Sequence, residues 1–121
     1  MKIRFLLLLS LILTFTLLPV SAHEERAAGQ EFTIINATGS DMYDLSIVPA
    51  NSAGRGPNAL TGQSLLSGRS LHLVFPNYNL DTEQWDMLGI SCCGEKLKWP
   101  QLSLNSAHTI TLRAGGLAEL N

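Results

Sequence analysis

The sequence predicts an all-β fold, a small antiparallel sandwich or partly open barrel of about six or seven short strands. Three observations lead there. Apolar residues recur at every second position in short stretches, the period of a strand with one face in a core and one in water. Clusters of Gly, Pro, Asn and Asp separate those stretches at the short spacing of β connections. No window after residue 22 sustains apolar side chains at the three- and four-residue spacing of an amphipathic helix.

The elements follow in order. Glu31 to Asn36 is a first strand with Phe32 and Ile34 in phase, and Ala37 to Ser40 is a turn. Thr38-Gly39 supplies the positive φ of such a turn, and Asn36 can bond its own backbone at the strand end. Tyr43, Leu45 and Ile47 alternate with Asp44 and Ser46 in a second strand stopped by Pro49. Asn51 to Asn58, with Gly54, Gly56 and Pro57, is a loop. Ser67-Gly68 turns into Ser70 to Phe75, where Leu71, Leu73 and Phe75 share a face. Pro76 to Gln84 is a polar loop before a fourth strand, Trp85 to Ser91, with Trp85 as a core anchor. Cys92 to Glu95 is a tight turn into Leu97-Lys98-Trp99, Leu102-Ser103-Leu104 is a separate short stretch, and His108 to Leu112 closes the pattern. The alternation predicts one core containing Phe32, Ile34, Leu71, Leu73, Phe75, Ile110 and Leu112.

The two ends of the chain read differently. Lys2 and Arg4 precede a Leu-rich run from Phe5 to Leu18, Pro19 ends it, and Val20-Ser21-Ala22 offers small residues for cleavage. That is the layout of a secretory signal, and the run falls short of the roughly 20 apolar residues of a membrane span. The expected organisation is a signal peptide at 1–22, a flexible leader at 23–30, one β domain at 31–113 and a C-terminal tail at 114–121. The protein is then secreted or periplasmic, with no membrane span after cleavage. No Cys near the cleavage point offers a lipid attachment atom, and residues 114–121 carry no hydrophobic anchor signal. Loss of Lys2 and Arg4 leaves ten acids outnumbering the remaining bases. That balance argues against nucleic acid, which demands a basic face, and against docking to anionic lipid.

Phe32-x-Ile34-x-Asn36-x-Thr38-Gly39, Leu45-x-Ile47-x-Pro49, Gly68 and Ser70 after Leu66, and Trp85-Asp86 together form a pattern. It resembles a set of small exported bacterial β-sandwich domains of unassigned function, over most of residues 32–112. The resemblance implies a fold and a compartment, and brings no catalytic residue. The opening strands are also similar to those of thaumatin-like proteins, which are rich in disulfides, whereas this chain has only two Cys, adjacent to one another.

Few residues are candidates for chemistry. The chain has no G-x-S-x-G elbow, no H-E-x-x-H, no phosphate-cradling glycine loop and no spaced C-x-x-C pair. The three histidines are His23, His72 and His108. After cleavage at Ala22, the free amine and imidazole of His23 can chelate copper, with His72 or His108 completing the site. Ordinary surface or strand-end histidines are the competing reading. Asn77 to Glu83 sets oxygen side chains at alternate positions, a partial calcium loop. It carries Thr82 where such a loop needs glycine and Leu88 where it needs its closing Glu. Asn36-Ala37-Thr38 is a glycosylation sequon, discounted because the resemblance is to bacterial proteins. Cys92 and Cys93 are candidates for a vicinal disulfide, against a bland reading as two small apolar side chains on opposite faces.

Three functions are compatible with these residues. The first is an exported, non-catalytic β domain that binds a protein or a surface glycan, or supports an envelope assembly. The second is a periplasmic metal-handling protein, with copper as the metal, that uses the N-terminal His23 together with His72 and the Cys92–Cys93 pair. The third is a small hydrolase with a dispersed triad that draws on the histidines.

Overall fold

The computed structural model describes residues 29–121. The predicted signal peptide, and His23 with most of the leader, lie outside the described residues. Seven strands follow in chain order: β1 Glu31–Ala37, β2 Met42–Pro49, β3 Ser70–Val74, β4 Trp85–Ser91, β5 Lys96–Leu102, β6 Thr109–Arg113 and β7 Leu117–Leu120. They form two sheets, ordered β3-β1-β6-β7 and β2-β4-β5. The sheets pack face to face around one core, so the described residues form an all-β sandwich, as the alternation predicts.

Register explains which residues meet. In β1, Phe32, Ile34 and Asn36 are buried while Glu31 and Ala37 are exposed. Phe32 lies opposite Leu73 and Ile34 opposite Leu71 in the antiparallel β3. On its other side β1 runs parallel to β6, with Ile34 opposite Ile110 and Asn36 opposite Leu112. Among the described residues this parallel pair is the one departure from an antiparallel arrangement; the long path from β1 to β6 through the second sheet makes it possible. The predicted core residues all join one cluster, Leu71 as a partly buried member at its margin. Phe32, Phe75, Tyr78 and Trp85 form a chain of ring contacts, with centroids 5.2 Å apart for Phe32–Tyr78 and 5.8 Å for Tyr78–Trp85. Gly89 sits beneath Trp99 and Met42; a Cβ there would lie 3.1 Å from Met42 Sδ and 3.3 Å from Trp99 Cζ3.

Asn36 does more than close a turn. It is fully buried. Its amide donates to Ser40 O (2.7 Å) and Leu65 O (2.9 Å), and its carbonyl accepts from Thr38 N (3.0 Å) and Thr38 Oγ1 (2.7 Å). Every polar site of the side chain is used. A glycan on Asn36 would replace one of the two amide hydrogens, break a donor bond and require room in a fully buried site, so the folded domain leaves the sequon no place for one.

Two boundaries differ from the sequence reading. The sequence pattern predicts a tail at residues 114–121. Instead Ala114–Gly116 is a single 3₁₀ turn, and Leu117–Leu120 returns as β7 along β6, with Ile110 opposite Leu120. Gly115 and Gly116 both take positive φ, which lets the turn reverse in so few residues. Asn121 extends the pairing through bonds with His108 and Thr109, so the β domain reaches the last residue. Leu102 and Leu104 do not form a strand of their own, because β5 runs through Pro100 to Leu102. Proline is tolerated there because β5 is the edge of its sheet. Residues 58–65 form a strap that the alternation does not reveal. Asn58 accepts from Leu45 N and Leu60 N, Ala59 N donates to Leu45 O, and Leu65 bridges Met42. The strap buries Ala59, Leu60 and Leu65 and covers the open edge of β2.

Candidate functional site

The outer face of the β2-β4-β5 sheet carries the main candidate surface. On β4, Trp85 and Met87 fill the core, while Leu88 and Ile90 sit half-buried on the opposite side. The antiparallel register places Lys98 opposite Leu88 and Lys96 opposite Ile90 on β5. On β2 the same rows continue to Ser46 and Asp44. The result is an open groove of about 310 Å³ between Arg55, Lys96 and Lys98, floored by Leu88 and Ile90, with Leu97 between the two lysines turned toward the core. Arg55 pairs with Asp44. Lys98 lies 3.7 Å from the buried Asp86, and Lys96 makes no ion pair among the described residues. Aliphatic side chains on the solvent side of a strand, framed by cations in an acidic protein, form a surface shaped for contact.

Asp86 ties the ends of β2 and β5 to β4 at one end of this face. Only 3% of it is exposed. Its carboxylate accepts from Asn51 N (3.1 Å) and Gln101 N (3.0 Å). Those two donors are residues with left-handed backbone, at φ 67° and 55°. Burial works to raise the Asp86 pKa, but the two backbone bonds and Lys98 outweigh it and hold the carboxyl below its ordinary range.

Cys92 and Cys93 occupy the turn between β4 and β5. Both are exposed, and their Sγ atoms lie 3.3 Å apart. The bland reading needed one sulfur on each face of the strand end; the turn instead brings both to one side.

The histidines are placed separately. His72 is exposed on β3, and its Nδ1 lies 2.9 Å from Thr33 Oγ1. His108 is exposed just before β6, and its backbone carbonyl accepts from Thr33 N. Neither imidazole bonds a carboxylate, and no three His, Cys, Asp or Glu side chains converge among the described residues. The copper reading turns on His23, outside the described residues. In the partial calcium loop, Asn77 donates its amide to Ile47 O (2.7 Å) and Asn79 accepts from the amides of Asp81 and Thr82. Tyr78 between them enters the core, with its hydroxyl donating to Asn105 (2.9 Å). These side chains shape the loop and do not converge on a common point.

The sequence reading did not single out the groove residues. The signal was present: Trp85 to Ile90 is apolar on both phases of a strand, which a one-sided strand does not need.

No family model matches the chain, and no curated protein matches it at a significant level. Among solved structures, it is similar to one described as the NMR structure of a protein from Eubacterium rectale. The identity is 14%, the TM-score is 0.45, and the match covers 74% of this chain and 82% of the other.

Proposed function

We propose that this protein is an exported, non-catalytic binding module that docks a protein partner on the outer face of its three-stranded sheet. The observation that carries the reading is the strip of Leu88 and Ile90 between Arg55 on one side and Lys96 and Lys98 on the other. A segment with aliphatic and acidic side chains complements such a strip, apolar contact giving affinity and charge giving register. A protein is favoured over a glycan because no aromatic ring lines the groove for a sugar to stack on. Export rests on the signal layout that ends at Ala22.

A synthetic peptide alternating Glu and Leu is the probe. Titrated into isotope-labelled protein, it is expected to shift the backbone resonances of Leu88, Ile90, Lys96 and Lys98, and to weaken about tenfold in K96E or K98E, the equivalent of about 1.4 kcal/mol. Shifts confined to other surfaces, or none at millimolar peptide, overturn the groove as the docking site. Export is tested by intact mass of protein from the host's exported fraction, where a full-length mass refutes cleavage near Ala22.

A further inference from the structure

We propose that Cys92 and Cys93 form a dithiol site that closes reversibly into a vicinal disulfide by exchange with small external disulfides, and that their adjacency keeps the bond easily reduced. The proposal does not depend on the groove. It starts from the way the turn is held. Cys92 N donates to Asp41 O (2.9 Å), Ser91 N to Glu95 O (2.9 Å) and Gly94 N to Ser91 O (3.1 Å). Ser91 Oγ accepts from Cys93 N (3.3 Å) and Glu95 N (3.2 Å). The backbone on both sides of the pair is therefore tied to β4, β5 and the turn before β2. In an extended strand, neighbouring side chains point to opposite faces. This turn, with Gly94 at φ 83°, instead leaves both thiols exposed with their sulfurs 3.3 Å apart. Two exposed thiols in contact, on a backbone already fixed, are arranged for intramolecular closure.

The chemistry balances with an external disulfide, RSSR, as oxidant. The Cys93 thiolate attacks one sulfur of RSSR; that S–S bond breaks and one RSH leaves after taking a proton. Cys92 then loses its proton to water, its thiolate attacks the Cys93 sulfur of the mixed disulfide, and a second RSH leaves. The protein loses two hydrogens, and one RSSR becomes two RSH. Cys92 suits the second role. Its thiol is pushed up, first by the hydrogen bond to Cys93, then by partial desolvation and the nearby Cys93 and Asp41 charges, against a smaller lowering by the Asp41 backbone hydrogen bond. Reopening is favoured by geometry. Neighbouring Cα atoms sit about 3.8 Å apart, against roughly 4.4–6.8 Å in ordinary disulfides. Strained, exposed disulfides of this kind are the labile ones.

The test equilibrates the protein in glutathione buffers from fully reduced to fully oxidised, quenches with acid, alkylates, and reads intact mass. The expected result is a species lighter by two hydrogens that carries no alkyl groups. It should accumulate only in oxidising buffers and revert to two alkylated cysteines with excess reduced glutathione. C92S, which lacks the closing thiol, is expected to stall as a glutathione adduct on Cys93. Two alkylated cysteines at every ratio, or stable glutathione adducts in the unaltered protein, overturn closure. A C92S protein that takes up no glutathione overturns the assigned order of attack.

Discussion

Asp86→Ala probes the group that ties the ends of β2 and β5 to β4 at one end of the sheet. The carboxylate is the acceptor for Asn51 N and Gln101 N, and both residues hold left-handed backbone. A left-handed conformation costs most non-glycine residues roughly 1–2 kcal/mol and Asn less, so the bond to Gln101 offsets local strain as well as satisfying a donor, while the bond to Asn51 chiefly satisfies a donor. Removing the acceptor orphans two part-buried amides at about 1–3 kcal/mol each. Solvent reaching the vacated site recovers some of that, and the expected loss is about 2–4 kcal/mol. Urea unfolding followed by Trp fluorescence measures it, since Trp85 and Trp99 are both in the core. A loss under about 0.5 kcal/mol, the range of ordinary surface substitutions, would refute the argument. Gln101→Gly is the control: it keeps the N–H and relieves the φ, so it should cost far less than D86A. The pH dependence has a definite sign. The folded carboxyl is held below its ordinary value, so its contribution is fully present above the unfolded pKa of about 3.9 and is lost as pH falls through the lower folded value. Asp86→Asn should remove that acid-side component of the stability profile and leave the neutral-pH slope unchanged.

Two further substitutions check the core and the C-terminal boundary. Leu73 is 3% exposed and faces Phe32, so Leu73→Ala should lower stability by about 2–5 kcal/mol; an unchanged denaturation midpoint would contradict its place in the core. Deleting residues 114–121 removes β7 together with the half-buried Ala118 and Leu120 and the Asn121 bonds to His108 and Thr109. The truncated chain should lose at least about 2 kcal/mol, from partial Leu burial and lost backbone pairing. A truncated protein with the same thermal midpoint would mean that the segment behaves as a tail.

What the sequence makes legible depends on whether burial has a period. β1 and β3 each bury one face, so Phe32, Ile34, Leu71 and Leu73 announce themselves by alternation, and their register follows. β7 has four residues, three of them apolar. Too few polar residues interrupt it to show a phase, and Gly115-Gly116 reads equally well as the start of a loose end. The strap at 58–65 is invisible for a different reason. It is held by the Asn58 side chain and by single backbone bonds to β2, not by a repeated pairing, so Leu60 and Leu65 are buried without any local pattern. The groove lies between these cases. Leu88 and Ile90 are legible as apolar residues on the wrong phase of β4, but their partners Lys96 and Lys98 lie across a turn, and only the register of β4 against β5 puts the cations beside them. The cysteine pair repeats the lesson at shorter range. Adjacency in sequence predicts opposite faces for Cys92 and Cys93, whereas the Ser91-centred turn, whose hydrogen bonds no periodicity encodes, sets both sulfurs on one side. In this chain, strands are written as period, while candidate sites arise where a turn or a register brings together residues that the period keeps apart.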